Sequence, residues 1–247
     1  MSEKALVSES ITKMYEELDK HAEIITTKLR TTCTKGCDSC CYLLATISFA
    51  EGVAVAEKLL QKPDWFSLVP KLKAAAEAHC FDGISKATYL AKKLPCVFLD
   101  TEKHACTIYE FRPATCRYHY VVSPPENCNP DHPVGRTGII DLSPLMNTVW
   151  SLTFEVMRQL GLGPDDAVAP IPMMVLWCML RACGEGKGRR LLLEATRYLP
   201  TPGEFLERYH AGLLEDADAE AAEKVLLTDK EGIEALRRGD DLRRKTD

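Results

Sequence analysis

Long apolar runs are missing from this chain of 247 residues. The longest, Met173 to Leu180, is far too short to span a bilayer, so a membrane-spanning role is not expected. Met1 to Arg30 is polar and charged and has no apolar signal core, which sets the expectation of a cytoplasmic protein. Basic excess is also absent: 31 Lys and Arg against 36 Asp and Glu give a net charge of −5, the wrong sign for a general nucleic-acid binder. Phosphate-cradling glycine loops, a dinucleotide fingerprint and a Gly-x-Ser-x-Gly elbow do not occur, nor do internal repeats or low-complexity tracts. Disorder is excluded by composition, since 46% of residues are hydrophobic, enough to bury a core.

Cysteine is abundant instead. There are 11, and nine of them fall between Cys33 and Cys128. In a reducing compartment thiols hold metal rather than forming disulfides, and an odd count fits a full disulfide framework poorly. A chain of this size also needs no covalent staples.

Around the cysteines the pattern is helical. Val7, Ile11, Met14, Tyr15, Leu18, His21, Ile25 and Leu29 recur at three- and four-residue spacing, predicting a helix over 7–30. Helices are also expected over 49–60, 71–79, 188–198 and 203–214. A stripe of Leu145, Val149, Leu152, Val156 and Leu160 defines another helix, ended by Gly161. Pro172 suits the first turn of a helix running through Arg181. Residues 94–136, rich in proline and carrying four cysteines, are expected to be irregular. The expected fold is mostly α, a helical domain with a cysteine-rich irregular metal-binding insert. One domain is expected over 1–247, comprising a cysteine-cluster region (30–130), a helical region (140–215) and a charged surface helix and tail (216–247).

The sharpest motif is C-x3-C-x2-C-C, formed by Cys33, Cys37, Cys40 and Cys41. On a helix these four stand at i, i+4, i+7 and i+8 and share one face. If only the second half is helical, Cys37, Cys40 and Cys41 still share a face and Gly36 forms the turn before them. Gathered thiolates repel one another unless a metal or iron–sulfur cluster neutralises them. Cys96, Cys106, Cys116 and Cys128 follow about ten residues apart, a spacing that suits loops folding back over a shared centre. Eight candidate metal ligands result: Cys33, Cys37, Cys40, Cys41, Cys96, Cys106, Cys116 and Cys128. They could serve two zinc ions, one four-iron cluster with cysteines to spare, or a cluster plus a zinc. Adjacent and widely spaced single cysteines suit a bulky iron–sulfur cluster better than paired zinc knuckles.

Other residues divide between chemistry and packing. Arg112 and Arg117 flank Cys116 and are candidates for offsetting thiolate charge or holding a cofactor or anionic substrate; a loop-fixing salt bridge is the competing role. Tyr109 is expected in the core. His119, between Tyr118 and Tyr120 in an expected strand, could complete a mixed site; His104 and His132 are expected at the surface. Cys80, Cys178 and Cys183 are expected to pack as small hydrophobes, and Met173, Met174 and Met179 to fill the core. Cys33, Cys37 and Cys40 also have the spacing of radical S-adenosylmethionine enzymes, but the βα repeat of those enzymes is absent and Cys41 adds an adjacent fourth thiol.

Four elements in order resemble the CxxCxxCC-type cysteine-cluster proteins: the Cys33–Cys41 cluster, Pro95-Cys96-Val97-Phe98-Leu99, the run from Cys106 to Pro113, and Ala114-Thr115-Cys116-Arg117. The first spacing here has three intervening residues rather than two, as in flagellin lysine N-methylases, which resemble the same family. The resemblance covers about residues 30–130 and implies zinc or iron chelation without fixing a reaction. Three functions follow as expectations: a metal-binding protein holding an iron–sulfur cluster or zinc, a metal-dependent enzyme akin to a protein lysine N-methyltransferase, and a redox or chelating interaction module. No particular protein partner is indicated.

Overall fold

The computed structural model describes residues 3–80, 94–128, 140 and 143–216. Among these are eight α-helices: α1 (Glu3–Leu29), α2 (Phe49–Leu60), α3 (Val69–Cys80), α4 (Ala114–Arg117), α5 (Ser143–Gln159), α6 (Ile171–Ala182), α7 (Lys187–Thr196) and α8 (Pro202–Asp216). Strands β1 (Thr46–Ser48) and β4 (Val168–Pro170) pair antiparallel with Ile47 opposite Ala169; β2 (Leu99–Asp100) and β3 (Ala105–Cys106) form a two-residue hairpin ladder. The mostly helical expectation is met. The charged tail beyond 216 and His132 lie outside the described residues.

Helix α6 is the centre of the bundle. Nine of its residues are buried, from Ile171 to Leu180, as expected of a helix that is apolar on every side. It packs on α2, α3 and α7, while α1 lies across α2 and α5. The closest approach is at Gly52, where an added Cβ would stand 2.7 Å from Met174 Cγ and 3.0 Å from Cys178 Sγ. Met173, Met174, Met179 and Cys178 are core residues, as expected, whereas Cys183 is half-buried where α6 ends. On α1 the buried stripe runs through Val7, Ile11, Met14, Tyr15 and Leu18 and then shifts to Ala22. His21 is exposed instead, its ring nitrogen 2.9 Å from the Glu17 carbonyl.

The two short strands set the position of the cysteine segment. Ser48 caps α2 with a capping box: its side chain accepts from the Glu51 amide, and Glu51 reaches back to the Ser48 amide. Phe49 N–H donates to the Ala167 carbonyl and Ile171 N–H to the Ala45 carbonyl, at 2.8 and 3.1 Å. The chain leaving the cysteine cluster is thereby stitched to the start of α6.

Candidate metal centre

The segment carrying Cys33 to Cys41 is not one helix. It is a turn through Gly36, at φ +95°, followed by a 3-10 turn over Ser39–Tyr42. A continuous helix is blocked at Gly36, whose left-handed backbone only glycine adopts without strain. Cys37 N–H closes the first turn on the Thr34 carbonyl at 3.1 Å, and Cys41 N–H closes the second on Asp38 at 2.8 Å. Gly36 turns the chain ahead of the last cysteines, as in the second of the two arrangements expected from the spacing, but the helical turn holds only Cys40 and Cys41 and leaves Cys37 outside it.

Three further segments meet this loop. Cys96 N–H donates to the Cys41 carbonyl at 2.7 Å, bringing the Cys96 segment alongside. Cys106 lies on β3, directly across from Leu99 of β2. Cys116 is on α4, and Cys33 Sγ accepts from the Val121 amide at 3.4 Å and donates to the His119 carbonyl at 3.8 Å. Seven of the eight candidate thiols (Cys33, Cys37, Cys40, Cys41, Cys96, Cys106 and Cys116) thus line one cavity of about 300 Å³. Cys128 is not among its lining residues. It is buried on a 3-10 turn, Pro125–Cys128, that packs against Ser39–Tyr42.

The thiols are close enough to feel one another. Cys40 acts electrostatically on Cys33, Cys41, Cys96, Cys106 and Cys116, which makes it the hub of the group. Its hydrogen bond with Cys41, together with burial, holds the Cys41 thiol protonated far above the ordinary range. Burial pushes Cys96 up to about 11, and raises Cys33, Cys106 and Cys116 as well. Without a cation, the low local dielectric makes each additional thiolate costly. No described cysteine is in a disulfide. Among the described residues, no three His, Cys, Asp or Glu side chains enclose a space tight enough for one metal ion. The sulfurs that line the cavity are soft donors and suit zinc or iron in kind and in number.

The two arginines have different surroundings. Arg112 lines the cavity, with its guanidinium 3.8 Å from the centre of the Tyr109 ring and Nη1 donating to the Tyr109 carbonyl at 3.0 Å. Its charge favours the thiolate forms of Cys106 and Cys116. Arg117 also borders the cavity, but its guanidinium is engaged with α1: Nη1 donates to Asp19 at 2.6 Å and Nη2 to the Glu110 carbonyl at 2.6 Å. Tyr109 is not a core residue; it faces the cavity between Arg112 and Lys35, whose ammonium is 5.0 Å from the ring centre. No strand forms at 118–120; the chain bends at Tyr118 as it leaves α4 and makes a single bridge at Val121. His119 lines the cavity, and exposed His104 pairs with Asp38 at 2.8 Å on the rim.

Sequence reasoning missed Glu51, Tyr15 and Asp19, which fix α4 from behind the cavity. The signal for Glu51 was present in Ser48-x-x-Glu51, the capping-box spacing.

Residues 32–132 match the family model described as "CxxCxxCC: Putative zinc- or iron-chelating domain". No curated protein and no solved structure matches the chain. No described helix is long and apolar enough to cross a membrane.

Proposed function

We propose that this is a cytoplasmic metal-binding protein whose cavity thiols hold an iron–sulfur cluster, in preference to zinc. The observation that carries the reading is the convergence of seven cysteines from separate stretches of chain on one cavity. Cys40, Cys41, Cys96, Cys106 and Cys116 form the electrostatically coupled inner set and are the first candidates for ligands; Cys33 and Cys37 stand beside them. Adjacent and widely spaced single cysteines suit a polynuclear centre better than they suit paired zinc-knuckle ligands. Bound there, the group would supply electron transfer or Lewis acidity, and would also tie an irregular segment to the bundle. Arg112 offsets the negative charge that such a thiolate centre accumulates. Cys128, behind the Ser39–Tyr42 turn, is assigned to packing.

The largely apolar far wall of the cavity, from Leu43, Phe98, Ile108 and Ile171, is the one feature that favours a metal-dependent enzyme over a purely structural centre. The deciding experiment is anaerobic purification followed by metal analysis and visible absorption. Iron with sulfide and a broad thiolate-to-iron absorption are expected, retained in Cys128→Ala and lost in Cys40→Ala. Zinc without iron or colour overturns the cluster assignment, and disulfides among the seven cysteines in freshly prepared protein overturn metal binding.

A further inference from the structure

Cys116 rides on α4, which at four residues is too short to hold its own position. Two buried charges fasten it. At its N-terminus the Ala114 amide donates to Glu51 Oε1 at 2.6 Å. Glu51, only 2% exposed, also accepts from the Tyr15 hydroxyl of α1, from the Ser48 amide at 3.1 Å and from the Ser48 hydroxyl at 2.7 Å. At the other end, buried Arg117 reaches Asp19 of α1 and lies over the Tyr15 ring at 4.3 Å from its centre. Tyr118 adds a hydrogen bond from its hydroxyl to the second Asp19 oxygen at 3.2 Å.

This arrangement asks more of Glu51 than a helix cap does. A glutamine closes a capping box as well as a glutamate. What a glutamine lacks is a second acceptor oxygen: a carboxylate is acceptor-only, whereas an amide would turn an NH₂ toward donors. Tyr15 and Ala114, both from outside α2, donate to Oε1, while the Ser48 amide and hydroxyl donate to Oε2, so both oxygens must be acceptors at once.

We propose that Glu51 is a positioning residue for the thiol site: by gripping Tyr15 of α1 and Ala114 of α4 together, its buried carboxylate holds Cys116 in the cavity wall and couples metal capture to the packing of α1 on α2. The proposal rests on the metal-binding reading given above. It makes Glu51 an outer support of the kind that orients a ligand without touching the metal, and such supports typically change affinity by about 10–100-fold.

The test is a double-mutant cycle on the full chain, using Glu51→Gln, Cys116→Ser and the pair. Reduced protein is loaded anaerobically with iron(II) and sulfide, and in parallel with cobalt(II); affinity and thiolate-to-metal absorption are read together. Glu51→Gln should weaken binding by about 10–100-fold and lower the absorption per bound metal. In the Cys116→Ser background it should cost less than about threefold more, because the ligand it positions is already gone. An unchanged affinity in Glu51→Gln, or an equal loss in both backgrounds, overturns the proposal. Should Glu51→Gln fail to fold, Tyr15→Phe takes its place in the same cycle, with the same non-additivity expected. Wild-type protein that takes up neither metal with a thiolate band overturns the metal reading itself, an outcome read before any variant is made.

Discussion

Raising the pH should destabilise the metal-free protein far more than the metal-loaded one. The clearest case is Cys96, which burial and its neighbours Cys106 and Cys40 raise from an ordinary 9.0 to about 11. Between these two values the unfolded chain has given up the thiol proton while the folded chain keeps it. The contribution is therefore fully present below about pH 9 and is lost as the pH rises through 11. Two units correspond to about 3 kcal/mol for this one thiol, of which about 2 kcal/mol is gone by pH 11. Cys33, Cys41, Cys106 and Cys116 are raised for related reasons and act in the same direction. A metal-bound sulfur has already lost its proton, so the loaded protein has no such term. Urea unfolding of reduced, chelator-treated protein from pH 8 to 11 measures the effect, with Cys96→Ser as the reference that removes this thiol together with its influence on Cys41 and Cys116. Wild type should lose about 2 kcal/mol more than Cys96→Ser over that range. Parallel curves for the two proteins would refute the claim that the Cys96 thiol is held protonated by burial in the cavity wall.

Two further outcomes follow from single contacts. Gly52→Ala should destabilise the protein by about 1 kcal/mol, because overpacking against the fully buried Met174 and Cys178 outweighs a helix-propensity gain of about 1 kcal/mol; guanidinium unfolding checks it, and a variant as stable as wild type would show that α6 yields at this contact. Arg112→Gln should weaken metal binding by about three- to tenfold, with the deficit shrinking at high salt, since it removes a cation favouring the Cys106 and Cys116 thiolates; a metal titration at two ionic strengths reads both effects.

The helices were legible because apolar spacing and buried faces coincide. Val149 and Val156 mark the buried side of α5, and Pro172 sits in the first turn of α6 as its fixed φ favours. The cysteine set was legible as chemistry, since thiols at these spacings have little use in a core. Its local shape was not. The spacing left open one helix or a turn at Gly36 before a helical half; the left-handed Gly36 excludes the first, and only Cys40 and Cys41 sit on a helical turn. Tyr109 misled for a related reason: an aromatic is most economically buried, yet here two cations flank its ring at the cavity. Arg112 and Arg117 could not be told apart from sequence. Their difference depends on Asp19, nearly a hundred residues earlier, which captures one guanidinium and leaves the other beside the thiols.

That long-range capture indicates how the two halves of the architecture depend on each other. The cysteine segment has few apolar anchors of its own: Phe98 and Ile108 are fully buried, while the loop from Cys33 to Cys41 buries no side chain completely. Its order in the metal-free state therefore comes from polar ties to the bundle, through Glu51 to Ala114 and Asp19 to Arg117, and from its own bond between the Cys41 carbonyl and Cys96. These ties fasten the chain beside Cys116, Cys41 and Cys96, whose sulfurs burial and neighbouring thiols keep protonated. A metal would complete what these ties begin, exchanging thiol protons for bonds that cross-link stretches of chain distant in sequence. The energetic gain from a metal would thus fall on the segment that has the least core to hold it.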